Sequence, residues 1–218
     1  MSSLSFVIFR FEAMAAWEQL PEPALHRVFS QLSLPDRLNA SNVCRSWSNA
    51  IYAPEIWRKF HCSFSSSSDS KNFEFIREYG EFMESVTLEV DQFESSNREN
   101  CVTAINLLTQ LDRRSIRRFR VKFVGRNPYF YAGAEIVKAL EYLLGDVPKQ
   151  DRRSLTLEVV DFGDLPVSFD DTVIGCLAEN HRNLRMLDLQ NGQLVNRIHP
   201  MSILNLVQNC RCLEDIHV

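Results

Sequence analysis

The chain has 218 residues, 45% of them apolar and 24% charged, and a formal net charge of −4. This is an ordinary balance for a globular protein with a real core, it allows one or two domains, and it gives no electrostatic footprint for nucleic acid or an anionic membrane. Glycine is scarce, at seven, and neither G-x-x-x-x-G-K-[ST] nor G-x-G-x-x-G occurs, so phosphate-cradling loops have no basis in the sequence.

The first apolar run, Leu4-Ser5-Phe6-Val7-Ile8-Phe9, lacks a basic flank and is cut short by Arg10. A secretory core needs roughly 7–15 apolar residues and a membrane span about 20. Met14 offers a second start, and residues 1–16 are expected to be a disordered extension. From residue 17 to 62 the pattern is helical. Leu25, Val28, Phe29 and Leu32 fall at i, i+3, i+4 and i+7, one apolar stripe. Ser33-Leu34-Pro35-Asp36 breaks the pattern and restarts it, with proline in a first turn where its missing N–H costs nothing. Leu38, Ala40, Val43, Cys44, Trp47 and Ile51 carry the next apolar face. Pro54 stops that helix, and Glu55–Phe60 reads as a short final one.

Leu20-Pro21, Leu25, Val28-Phe29, Leu32, Pro35-Asp36-Arg37-Leu38, Val43-Cys44-Arg45-x-Trp47 and Ile56-Trp57 together resemble the F-box. The landmarks stand in order over about a fifth of the chain. Ile56 replaces the usual leucine before tryptophan, and Pro23 is an unusual residue for a first turn. The resemblance implies docking to the Skp-type adaptor of an SCF ubiquitin ligase and, through it, to a cullin. A module this small is not expected to bury two tryptophans and a full apolar stripe alone, so a partner's helices are the natural cover. The residues expected to touch the adaptor are Leu20, Pro21, Leu25, Phe29, Leu34, Leu38, Val43, Cys44 and Trp47, since large apolar anchors carry most interface energy. Trp57 is assigned to the seam with the following domain.

Residues 63–72 are serine-rich and read as a flexible linker. From residue 73 to 218 a short apolar pattern returns: Met83-x-x-Val86-x-Leu88, Ile116-x-x-Phe119-x-Val121, Arg152-x-x-Leu155-x-Leu157, Leu184-x-x-Leu187-x-Leu189 and Leu213-x-x-Ile216-x-Val218. The first positions, 83, 116, 152, 184 and 213, are spaced by 33, 36, 32 and 29 residues. Asn180-His181-Arg182-Asn183-Leu184 also resembles Asn209-Cys210-Arg211-Cys212-Leu213. Helical stretches separate the strands: Glu99–Leu111, Ala134–Leu144 with Gly145 as its stop, Val173–Leu177 after a cap at Asp170-Asp171, and Met201–Asn209 after Pro200.

Strand alternates with helix, and right-handed parallel winding is expected. The domain resembles a divergent leucine-rich-repeat solenoid, in which each unit buries its apolar face only against its neighbours. The expected fold is therefore α, then α/β: an N-terminal F-box, then an irregular repeat solenoid. The pattern runs to Val218 with no polar capping element, so the solenoid is expected to be C-terminally incomplete. Positions between the leucines point away from the core, and the substrate-face candidates are Thr87, Glu89, Arg120, Lys122, Thr156, Glu158, Asp188 and Gln190. Arg117-Arg118 and Arg120-x-Lys122 read as a small basic patch on that face.

The six cysteines show no paired spacing. Cys210-x-Cys212 with His217 lacks the usual C-x-x-C spacing and a second pair, so buried structural thiols are expected rather than a metal site. No G-x-S-x-G or H-E-x-x-H occurs, no cofactor is expected, and an enzyme would need a deep pocket of convergent polar groups. Among F-box proteins the chain resembles the "F-box only" group. The expected role is a non-catalytic substrate receptor acting on a protein target in the cytoplasm, the nucleus or both. The alternative is an F-box scaffold that drives no ubiquitination.

Overall fold

A computed structural model describes residues 17, 19–66, 69–70, 72–125, 133–145, 157–190 and 197–218. The expected extension at residues 1–16 lies outside them. The chain divides into two units between Lys59 and Phe60.

Among the described residues, the first unit holds the short helices α1 (Glu22–Phe29), α2 (Leu34–Ser41) and α3 (Arg45–Ala50), closed by a 3-10 turn at Pro54–Trp57. Pro21 precedes α1, and Pro23 sits in its first turn, where a proline costs no hydrogen bond. At α2, Ser33 caps the helix: its hydroxyl accepts from the Asp36 amide at 3.3 Å and donates to the Asp36 carboxylate at 2.7 Å. Helix α1 packs on α3 and on the 3-10 turn, α2 packs on α3, and Leu25, Phe29, Ile56 and Trp57 form the interior.

The second unit opens with a strand that corrects the sequence reading. Lys59–Phe64 is β1, alternating exposed and buried, where a helix ending at Phe60 and a linker from Ser63 were expected. Phe60, Cys62 and Phe64 are all buried, so period-two alternation wins over the helix suggested by Ile56-Trp57. The order continues α4 (Asn72–Tyr79), a 3-10 turn (Gly80–Phe82), β2 (Ser85–Val90), α5 (Ser95–Thr109), β3 (Arg118–Phe123), α6 (Ala134–Gly145), β4 (Val159–Asp161), α7 (Asp171–Asn180), β5 (Met186–Asp188), α8 (Pro200–Asn209) and β6 (Asp215–His217). The six strands form one sheet in sequence order, and each pair from β2 to β6 is parallel. Each helix from α4 to α8 packs on the next. This is an α/β stack of the leucine-rich-repeat type.

The third repeat is read one step late by the structure. Its strand is Val159–Asp161, and its buried triplet is Leu157-x-x-Val160-x-Phe162 rather than a pattern ending at Leu157. The cause is register: Val160 pairs with Phe119 and Leu187, so Val160 and Phe162 occupy the slots leucine fills elsewhere. The first positions then stand at 83, 116, 157, 184 and 213, with steps of 33, 41, 27 and 29 residues. Leu155 and Thr156 lie outside the described residues.

Phe119, Phe162 and Phe169 join neighbouring repeats through an edge-to-face contact at 6.2 Å and a stacked one at 5.6 Å. Each buried phenylalanine contributes about 1.5–3 kcal/mol. Buried polar side chains add direction to the stack. His181 Nδ1 accepts from the Leu157 amide at 3.2 Å, and its Nε2 lies 3.0 Å from the Leu144 carbonyl, which fixes the neutral tautomer with the proton on Nε2. One ring thus ties the end of α6 to the entry of β4. Arg114 also donates to the end of α6, at the Leu143 carbonyl, 2.8 Å away. One repeat later Cys210 stands where His181 stands, and its thiol donates to the His181 carbonyl at 3.4 Å.

Candidate functional site

The helical unit distributes its apolar residues in a way its stripe does not foretell. Leu25, Phe29 and Leu34 were expected to touch a partner, but they are 2%, 0% and 8% exposed and belong to the unit's own interior. Phe29 meets Trp47 edge-to-face at 5.9 Å. Of the other expected contacts, Pro21 and Val43 are exposed, while Leu20, Leu38, Cys44 and Trp47 are half-buried. The large apolar side chains that reach solvent are Trp17, Val28, Val43 and Tyr52, at 61%, 44%, 64% and 63%. Val28 therefore points out of the stripe that holds Leu25 and Phe29.

Trp57 is fully buried. Its indole N–H donates to the Ile51 carbonyl at 2.8 Å. Arg37 lies over its ring, 4.9 Å from the centroid, and donates from Nε to the Phe29 carbonyl at 3.1 Å and from Nη2 to the Leu32 carbonyl at 3.2 Å. Arg37 is thus a buried cation held by the Phe29 carbonyl at the end of α1, the Leu32 carbonyl just beyond it, and a π face. Burial lowers its pKa without discharging it. Sequence reasoning gave Arg37 no role, because an arginine between Asp36 and Leu38 looks like any solvated helix charge.

On the second unit the strands alternate: Val86 and Leu88 are buried, while Thr87 and Glu89 face the other way, as do Arg120, Lys122 and Asp188 on their strands. Glu158 precedes β4, whose outward positions are Val159 and Asp161, and Gln190 lies just beyond β5. The pairing register lines up two rows across the sheet. One is Ser85, Arg118, Val159, Met186 and Asp215, and the other is Thr87, Arg120, Asp161, Asp188 and His217.

The expected basic patch is largely matched by acid. Lys122 lies 2.7 Å from Glu89, which also faces His61 at 3.2 Å. Arg117 lies 3.5 Å from Glu158. Arg120 reaches Asp164 at 2.6 Å and Asp161 at 3.2 Å; the second is a charge contact only, because Nε makes no hydrogen bond. Partial burial pushes the Glu89 pKa up, but the Lys122 ammonium and His61 outweigh it and hold the carboxyl below its usual range.

Cysteine burial is uneven. Cys62, Cys101 and Cys210 are buried, Cys44 and Cys176 are half-buried, and Cys212 is exposed, so the buried thiol expected at Cys212 is not found. Burial raises the Cys62 thiol to about 12. Among the described residues, no group of three His, Cys, Asp or Glu side chains could hold a metal ion, and no helix is long and apolar enough to cross a membrane.

The described residues thus form a capped helical module followed by a parallel strand–helix stack. A family model described as F-box-like matches residues 17–63. The chain is 29% identical to human F-box/LRR-repeat protein 8 over 88% of its own length and 50% of that protein's. It is 31% identical to the Bos taurus protein of the same name over 82% of the chain and 46% of that protein. It is 28% identical to Bos taurus F-box/LRR-repeat protein 21 over 98% of the chain and 50% of that protein. The chain carries an F-box-like domain at its N-terminus, and its relatives over most of its length are F-box/LRR-repeat proteins. It spans about half the length of these curated relatives.

Proposed function

We propose that this chain is the substrate-recognition subunit of an SCF-type E3 ubiquitin ligase. Its F-box docks a Skp-type adaptor, the adaptor links it to a cullin, and the repeat sheet holds a protein target. It works without catalysis of its own, in the cytoplasm or the nucleus. The observation that carries this reading is the helical unit's surface. Trp17, Val28, Val43 and Tyr52 stay exposed on a small capped module whose interior is already filled. Solvent-facing aromatic and branched side chains of this kind are the usual anchors of a protein interface.

The test is co-purification with a Skp-type adaptor. The wild-type chain is expected to retain the adaptor at one-to-one stoichiometry, and Val43→Asp, changing an exposed residue, is expected to lose it while remaining folded. A folded wild-type chain that retains no adaptor overturns the proposal.

A further inference from the structure

We propose that the open sheet face binds an extended target segment with an acidic residue, an apolar residue two positions on and a basic residue two positions further. This deepens the reading of the repeat sheet as a target-binding surface and rests on it. The proposal stands on a row that crosses four strands at one register: Arg118 on β3, Val159 on β4, Met186 on β5 and Asp215 on β6. Its chemistry runs from cation through two apolar side chains to anion. Arg118 and Asp215 are exposed, and Val159 and Met186 are half-buried between them.

The polarity is not confined to this row. The outward positions of β3 are Arg118, Arg120 and Lys122, all basic. Those of β4 to β6 include Asp161, Asp188 and Asp215 and no lysine or arginine. The seam between the halves is closed by Arg120 with Asp161 and Asp164 and by Arg117 with Glu158. These contacts, with those of Lys122 to Glu89 and of His217 to Asp188 and Asp215, pair much of the face and leave Arg118 and Asp215 as the charged ends of the row.

Geometry sets the spacing of the partner. Neighbouring strands lie about 4.8 Å apart, so Arg118 and Asp215 are separated by three steps, about 14 Å. In an extended peptide, residues i, i+2 and i+4 point to one side, and i to i+4 spans about 13 Å. A carboxylate at i then reaches Arg118, an apolar side chain at i+2 rests on Val159 and Met186, and an ammonium or guanidinium at i+4 reaches Asp215. A segment of one sign satisfies one end and is repelled at the other, which gives discrimination as well as attraction.

The test is selection of a phage-displayed library of random dodecapeptides on the full chain, followed by fluorescence anisotropy of the enriched peptides. Enrichment of acid-x-apolar-x-base, in either chain direction, is the expected result. Arg118→Glu and Asp215→Lys should each weaken those peptides about ten-fold, as one frustrated ion contact would. Enrichment of peptides of one sign, of uncharged peptides or of none overturns the proposal, and so does binding that both variants leave unchanged. Adaptor capture is measured on the same variants. Peptide selection without adaptor capture removes the ligase reading and leaves the peptide specificity standing. Adaptor capture without the charge pattern removes the specificity alone.

Discussion

The helical unit hides a cation and shows apolar side chains, whereas the outward face of the repeat sheet carries mostly charged and polar side chains, with Val159 and Met186 half-buried among them. Arg37 is buried against Trp57 while Val43 and Tyr52 stand in solvent. Across the sheet, Val86, Phe119, Val160 and Leu187 are buried, and Thr87, Arg120, Asp161 and Asp188 face outward. The repeat unit also exposes apolar residues, among them Tyr142 on α6, Met201, Leu204 and Val207 on α8, and Val124 and Val218 just past β3 and β6. The two units therefore offer different surfaces to solvent: apolar side chains on the helical unit, and charge placed at strand spacing on the sheet.

The comparison can be broken most forcefully in the core of the repeats. Phe162→Ala removes a fully buried ring packed on Phe119 and Phe169. It should cost about 3–5 kcal/mol in chemical denaturation followed by circular dichroism. In the helical unit, Arg37→Met should cost about 2–3 kcal/mol, because the carbonyls of Phe29 and Leu32 lose a buried charged donor. Arg37→Lys should recover little of this, since an ammonium cannot fork to two carbonyls while lying over the indole.

Acid sharpens the comparison. Burial, the largest effect, holds the His181 pKa down at about 4; the Leu144 carbonyl opposes it and Arg114 adds to it. A depressed histidine favours the neutral folded state. Its contribution is complete above the unfolded value near 6.5 and is lost as pH falls from there toward 4. Stability should therefore drop by up to about 3 kcal/mol across that window, and His181→Asn, weaker at pH 7, should flatten the drop. The smallest effect belongs to the ion pairs of the sheet: Arg120→Ala should change stability by about 0–1 kcal/mol, since its pairs are solvent-screened.

Much of the repeat stack was legible because Leu184, Leu187 and Leu189 state the pattern plainly and Ile116, Phe119 and Val121 repeat it with the same period. The third copy is obscured in the sequence because Leu155 and Leu157 match the leucine pattern, whereas the buried positions at the strand are Val160 and Phe162. Strand β1 was hidden behind the expectation of a helix, although Phe60, Cys62 and Phe64 alternate cleanly. In the helical unit the stripe predicted a helix correctly but not which of its residues face inward. Val28 and Phe29 are sequence neighbours with opposite fates, decided by how α1 meets α3. Ion pairing across strands was not legible at all, because Arg120 and Asp164 meet only once the register is set.

The central claim is that the helical unit binds its adaptor through apolar anchors rather than through charge. Isothermal titration of the chain with a Skp-type adaptor at about 0.1 M and about 0.5 M salt tests it most directly, because screening separates the two mechanisms. The Kd should move by less than about three-fold with salt and rise more than about ten-fold for Val43→Asp. A Kd that weakens steeply with salt, or one that Val43→Asp leaves unchanged, would contradict it.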